Sequence, residues 1–343
     1  MNSVTLRRAR ITGVWALALM MISASLFTGV AWGQQADKAK DQGPKISDGE
    51  RKALEKIETT ADLPTKIKLA GEFVKKYPAS PMRGQVSSYI GGEIAKVEDP
   101  AQKVTFLESA LQIFDQPKEA ELLFPALINT YIKGQKYDEA LAATAKYIEK
   151  NPNDVYVLTN IALTSTEQVK AQNAKFVAAV QLYAPKAIAL IEADKKPEAM
   201  EDEKWNEYKT QWLPGLYQAL GIVAYLTKNK ADAKVKLEKA VSLNATDPVT
   251  YMLLGGLVDD EYRELAQKHQ TMGPGPLKEQ TLKEAQAKMD EVIEIFAQTV
   301  ALAAGKEAFQ RMHDSLLEQL TTYYKYRKGS TAGLQELIDK YKK

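Results

Sequence analysis

The chain has 343 residues, with 46 Lys and Arg against 44 Asp and Glu, two His and no Cys. The missing thiol excludes a disulfide scaffold, a cysteine metal site and a thiol nucleophile. The near-balanced, interspersed charge gives no field that would draw nucleic acid or hold the chain to a membrane surface.

Residues 1–33 have the layout of a secretory signal peptide. Arg7, Arg8 and Arg10 make a positive start, and an apolar stretch follows from Ile11 to Val30. Ala31-Trp32-Gly33 then puts small residues at the −3 and −1 positions of a cleavage site before Gln34. Removal takes away three positive charges and no negative ones, so the formal net charge falls from +2 to −1. The expected address is the periplasm or the secreted space, without stable membrane insertion after cleavage. Residues 34–46 are polar, carry Gly43 and Pro44, and read as a flexible linker.

From Ser47 onward the period is helical throughout, and no run of alternating β-branched residues interrupts it. Ser47 and Glu50 form a capping box for the first helix, and Asp62 with Pro64 opens the second, which Tyr77-Pro78 ends. Further helices are expected after Pro81, over 102–114, and as a pair over 118–133 and 137–150. The rest fall near 155–164, 171–192, 200–227, 231–243, 248–270, 277–304, 306–327 and 331–341. Pro185 should kink or divide the 171–192 helix, and Pro214 strains the 200–227 helix. Met272-Gly273-Pro274-Gly275-Pro276 stops any helix and reads as a hinge or subdomain boundary.

An internal repeat is present. In residues 121–154 (ELLFPALINTYIKGQKYDEALAATAKYIEKNPND), Phe124, Leu127, Ile128, Tyr131, Ala140 and Pro152 occupy the spacing of a helix–turn–helix unit of 34 residues. This segment resembles a tetratricopeptide repeat. Phe124 stands at its Trp position, while Thr144 and Tyr147 stand where a Phe and an Ala are usual. The exchange roughly conserves volume, and the threonine hydroxyl then requires a partner such as a carbonyl one turn back. One period after Phe124, Leu127 and Ile128 come Leu158, Ile161 and Ala162. In the second half Tyr217, Leu220 and Gly221 recur as Tyr251, Leu254 and Gly255, with Ala233, Leu237 and Ala240 between them. Small residues at Gly221, Ala233 and Ala240 let two helices approach closely. The resemblance is clear over 121–165 and 214–259, extends in weaker form over 50–115, and stops before 277–343. The insert 166–213 breaks the period.

The resemblance implies an all-α, irregular α-solenoid of antiparallel helix pairs. A repeat domain over 47–272 would be closed by a C-terminal long-helix cap over 277–343, because a terminal stacking face needs a cover. It also implies a protein or peptide partner held in a helical-repeat groove, with no cofactor and no catalytic residue.

Side chains with reactive chemistry are few. His269 and His313 lie on different helices, and Asp314 beside His313 faces another way along a helix, so no dyad is expected. The acidic run Glu198–Glu203 has Lys195, Lys196 and Lys204 around it and reads as a solvated helix start. Trp205, Tyr208 and Trp212 recur at spacings of three and four on one helix face. They suit either a packed core or a docking surface, since Trp and Tyr dominate interface hot spots. Tyr323, Tyr324 and Tyr326 crowd one helix end, and at least one ring must reach the surface. These six aromatics are the candidate partner-binding residues. The leading reading is a non-enzymatic interaction module. A polysaccharide or small-ligand binder using the Trp and Tyr rings is the second, and a carboxylate-dependent hydrolase the third.

Overall fold

A computed structural model describes residues 45–342. The expected signal peptide over 1–33 and the expected linker up to Pro44 lie outside the described residues. Among the described residues the chain is all helix and turn, built of antiparallel helix pairs stacked in a solenoid.

The first four helices are α1 (Asp48–Thr59), α2 (Leu63–Lys76), α3 (Arg83–Ala95) and α4 (Pro100–Ile113). Their starts follow local chemistry. Ser47 accepts from the Glu50 amide while Glu50 accepts from the Ser47 amide, and Asp62 and Asp99 accept from Thr65 and Gln102. Each capping side chain takes up an N–H that the helix leaves unpaired.

The expected helix over 118–133 is two pieces, α5 (Pro117–Ala120) and α6 (Leu123–Lys133). A buried ion pair holds the break. Glu119, 3% exposed, takes Arg83 Nε at 2.5 Å and Nη2 at 2.9 Å, and its backbone carbonyl accepts from Ser87. Arg83 also donates to Asp115 and to the Pro78 carbonyl, so the buried charges are well hydrogen-bonded.

α7 (Tyr137–Lys150) and α8 (Val155–Lys170) complete the clearest repeat, and α9 (Val177–Glu192) follows a short 3₁₀ turn. The Thr144 hydroxyl donates to the Ala140 carbonyl at 2.8 Å, and Tyr147 donates to Asp154 at 2.7 Å. Both departures from the repeat pattern therefore find partners. Pro185 does not divide α9, which runs through it from Val177 to Glu192. The proline is exposed, so the carbonyl one turn back can meet water.

α10 (Asp202–Leu226) and α11 (Lys230–Leu243) pair tightly because Gly221 has no side chain. A Cβ there would lie 2.7 Å from Leu237. α12 (Pro248–Thr271) and α13 (Pro276–Ala303) form the most extensive helix contact, and a Cβ on Gly255 would lie 2.6 Å from Phe296. The Gly-Pro-Gly-Pro segment is the turn inside this pair, with Gly275 at φ 153°. α14 (Gln310–Lys328) and α15 (Leu334–Asp339) close the array. Leu316, Leu320, Leu334 and Ile338 pack on α13, and the remaining face of α14 is polar.

Candidate functional site

The first helices of successive pairs, α6, α8, α10 and α12, make one wall, and side chains step from each to the next. Asn160 on α8 donates to Asn129 on α6 at 2.5 Å. Tyr156 on α8 meets Tyr208 on α10 edge-on, ring centres 5.0 Å apart. Gln218 on α10 donates to Asp247 at 3.0 Å and to Thr250 on α12 at 2.8 Å. Tyr225 on α10 donates to Asp260 on α12 at 2.6 Å.

Tyr225 at 41% and Leu226 at 52% are exposed on α10, and two further large apolar side chains stand out at the other end of the wall, Leu122 at 52%, just before α6, and Tyr156 at 43% on α8. Leu122 and Tyr156 are 34 residues apart and so hold the same place in consecutive repeats. Burial of such side chains is the favourable term that a partner could gain. Asn129 is exposed two turns along α6 from Leu122, and half-buried Asn160 lies one turn from Tyr156. Their mutual hydrogen bond leaves amide donors and acceptors over for a ligand. Sequence analysis missed these four residues. The signal for Leu122 and Tyr156 was available in the shared repeat position.

The predicted aromatics divide. Trp205 is 2% exposed and stacks on Tyr208, ring planes 10° apart and centres 5.5 Å apart. Its indole N–H donates to Asp194 at 2.7 Å, and Lys209 donates to the same carboxylate at 2.8 Å. Those two bonds hold the Asp194 carboxyl below its ordinary range, Lys209 contributing most. Tyr208 is 7% exposed and donates to the Val155 carbonyl at 3.2 Å, and burial pushes its hydroxyl up. Neither ring has a free face to offer a sugar or a peptide. Trp212, half-buried, continues the cluster 6.3 Å from Tyr208.

At the other end Tyr323 is tied inward. Its hydroxyl donates to Asp259 at 2.7 Å and accepts from Arg263 at 3.1 Å. Arg263 Nε and Gln319 fill the second Asp259 oxygen, at 2.9 and 3.3 Å. Asp259 is 6% exposed, and its lone pairs serve the link between α12 and α14 rather than a reaction. Tyr324 donates to the Ala332 carbonyl at 3.1 Å. Tyr326 is the surface ring of the three, at 79% exposure.

His313 and Asp314 do meet, contrary to the reading from helical spacing. His313 Nδ1 lies 2.9 Å from Asp314 Oδ1, and Gln310 donates to the same carboxylate. Both side chains are near the start of α14, and Asp314 is exposed. The acidic run opens α10 as expected, with Lys196 paired to Asp202 and Lys204 to Glu201. No group of three or more His, Asp or Glu among the described residues is placed to hold a metal ion. One stretch, Ala174–Glu192, is long and apolar enough by composition to cross a membrane, and one side of it is packed in the core.

No protein-family model matches the chain, and no curated protein matches its sequence. Among solved structures it is similar to a tetratricopeptide repeat protein from Parabacteroides merdae. That match has TM-score 0.36 and 14% identity, over 85% of this chain and 98% of the other. PilF of Pseudomonas aeruginosa matches with TM-score 0.32 and 14% identity, over 85% of this chain and 99% of the other. An IFIT1 monomeric mutant solved with m7Gppp-AAAA matches with TM-score 0.36 and 13% identity, over 81% of this chain and 55% of the other. These superpositions are loose. The description of the fold as a tetratricopeptide-like helical repeat rests on the chain's own helix pairs.

Proposed function

We propose that the chain is a non-enzymatic interaction module of the periplasm or cell envelope that binds a protein or peptide along the wall of α6, α8, α10 and α12. The observation that carries the reading is the pair of exposed apolar side chains, Leu122 and Tyr156, repeated at one position of that wall beside the Asn129–Asn160 amides. An extended segment laid across the wall would bury both apolar groups and meet open hydrogen-bonding groups between them. The helices α13–α15 act as the C-terminal cap.

A photo-crosslinking residue at Tyr156 or Leu122 in the full chain should join a defined partner. The same residue at Val235, 59% exposed on α11, should not. Equal products from all three positions would remove the wall as the binding surface. Export is supported by the arginines and apolar stretch before Ala31-Trp32-Gly33. Amino-terminal sequencing of the chain taken from the envelope should begin at Gln34, and an intact Met1 would refute cleavage.

A further inference from the structure

We infer that α12–α15 swing as one body against α1–α11 about a polar seam, and that lysines on one side and carboxylates on the other set the angle. This goes beyond the binding role and does not depend on it.

The distribution of buried apolar side chains marks the seam. One continuous core runs from Leu54 to Val223, and a second from Val258 to Ile338. Between them stands a small cluster of Ala224, Ala233 and Leu257, with Leu253 reaching back to the first core. The two close glycine approaches do not cross this line. Gly221 against Leu237 belongs to the α10–α11 pair, and Gly255 against Phe296 to the α12–α13 pair.

Polar links cross it beside that small apolar cluster. Lys230 on α11 pairs with Glu264 at 2.6 Å and Asp260 at 3.7 Å, and Lys234 pairs with Glu291 on α13 at 3.2 Å. Tyr225–Asp260 and the bonds of Gln218 to Asp247 and Thr250 complete the set. In the ion pairs that cross, the lysines are on the α11 side and the carboxylates on the α12–α13 side, where Lys288 also pairs with Glu291 at 2.9 Å. A packed core has few discrete alternatives, because voids and overlaps both cost free energy. Half-exposed ion pairs are individually weak and screened by salt, so a joint made of them yields first. The wall of first helices crosses this joint between α10 and α12, so the angle sets how the two halves of the wall align.

The absence of native Cys allows spin labels to be placed in pairs. Lys146→Cys with Ser315→Cys spans the seam. Lys146→Cys with Lys68→Cys, and Ser315→Cys with Lys283→Cys, stay within one body each. Pulsed distance measurements on the full chain should give a wider distribution across the seam than within either body. It should widen again at about 1 M salt, where the screening length falls to about 3 Å. Lys230→Gln with Lys234→Gln should widen it at low salt, and Lys230→Glu with Asp260→Lys and Glu264→Lys should narrow it back. The parent in two salts decides the matter even if a variant folds poorly. A cross-seam distribution as narrow as the internal ones in both salts overturns the inference. So does equal widening of all three pairs, which would mean that the whole array bends evenly.

Discussion

Residues 121–165 and residues 276–303 are both helical, yet they bury themselves in different ways. α6 and α7 are 11 and 14 residues long, and both their faces are used. Leu127, Ile128, Tyr131, Ala140 and Tyr147 belong to a core shared with pairs before and after. α13 is 28 residues long and carries one stripe, with Met289, Val292, Ile293, Phe296 and Val300 facing α12, α14 and α15. A short pair needs neighbours to cover it, whereas a long helix can complete its burial with the helices that return beside it. The difference teaches that the regular repeat and the C-terminal body are held by separate cores.

The largest effect should come from removing the second core. Truncation after Met272 leaves α12 without α13, exposing Val258 and the Gly255 face. Circular dichroism should find the remaining helices, and sedimentation should find them aggregated. If the shortened chain is monomeric, soluble and as stable as the parent, the C-terminal body is an independent domain and not a cap.

Two adjacent glycines give a sharper test at single-residue scale. Gly255→Ala places a methyl 2.6 Å from Phe296 and 3.0 Å from Ile295, and overpacking of this kind costs about 1–3 kcal/mol. Gly256 has open space around its Cβ direction, so Gly256→Ala should stabilise the helix by about 1 kcal/mol. Urea midpoints should therefore move in opposite directions. Movement in the same direction would show that the α12–α13 approach is looser than described.

The mildest perturbation is alkaline pH, which reaches the N-terminal body and the seam. Burial and the Glu108 bond push the Tyr131 hydroxyl from its ordinary 10.0 up to about 12. The Asp260 bond and burial do the same for Tyr225, and burial with the Glu192 bond for Tyr217. Each folded-state value is raised, so the stability these groups contribute is complete below pH 10. It is lost as the pH rises towards about 12, because the unfolded chain ionises first. Tyrosinate absorbance and helix content followed together should change in that window. Loss of helix well below pH 10 would place the weak point elsewhere.

Much of the wall was legible in the sequence, and its exposed members were not. The 34-residue period put Phe124, Leu127 and Tyr131 on the correct face of α6, because each repeat must present the same stripe to the next. Periodicity says only that a face is apolar. It does not separate an apolar group covered by a neighbour from one left open, so Trp205 and Leu122 look alike in one dimension. Tyr323 and Tyr326 have the same ambiguity. They are one turn apart, yet Asp259 and Arg263 draw one inward, and nothing covers the other.

Local chemistry in the sequence determined where the helices start and stop. Ser47, Asp62, Asp99, Asp154 and Asp247 each satisfy a nearby amide, and that requirement is the same in any fold. The close pairing of α10 with α11 and of α12 with α13 was likewise set by the small residues at Gly221 and Gly255. Tertiary structure alone decided where one core ends and the next begins. Met272–Pro276 is the strongest break in the chain, but α12 and α13 bury so much against each other that the break became an internal turn. The core divides instead between α11 and α12, where the facing side chains are Ala224, Ala233 and Leu257 among lysines and carboxylates. Cohesion there depends on groups brought together from elements far apart in the chain.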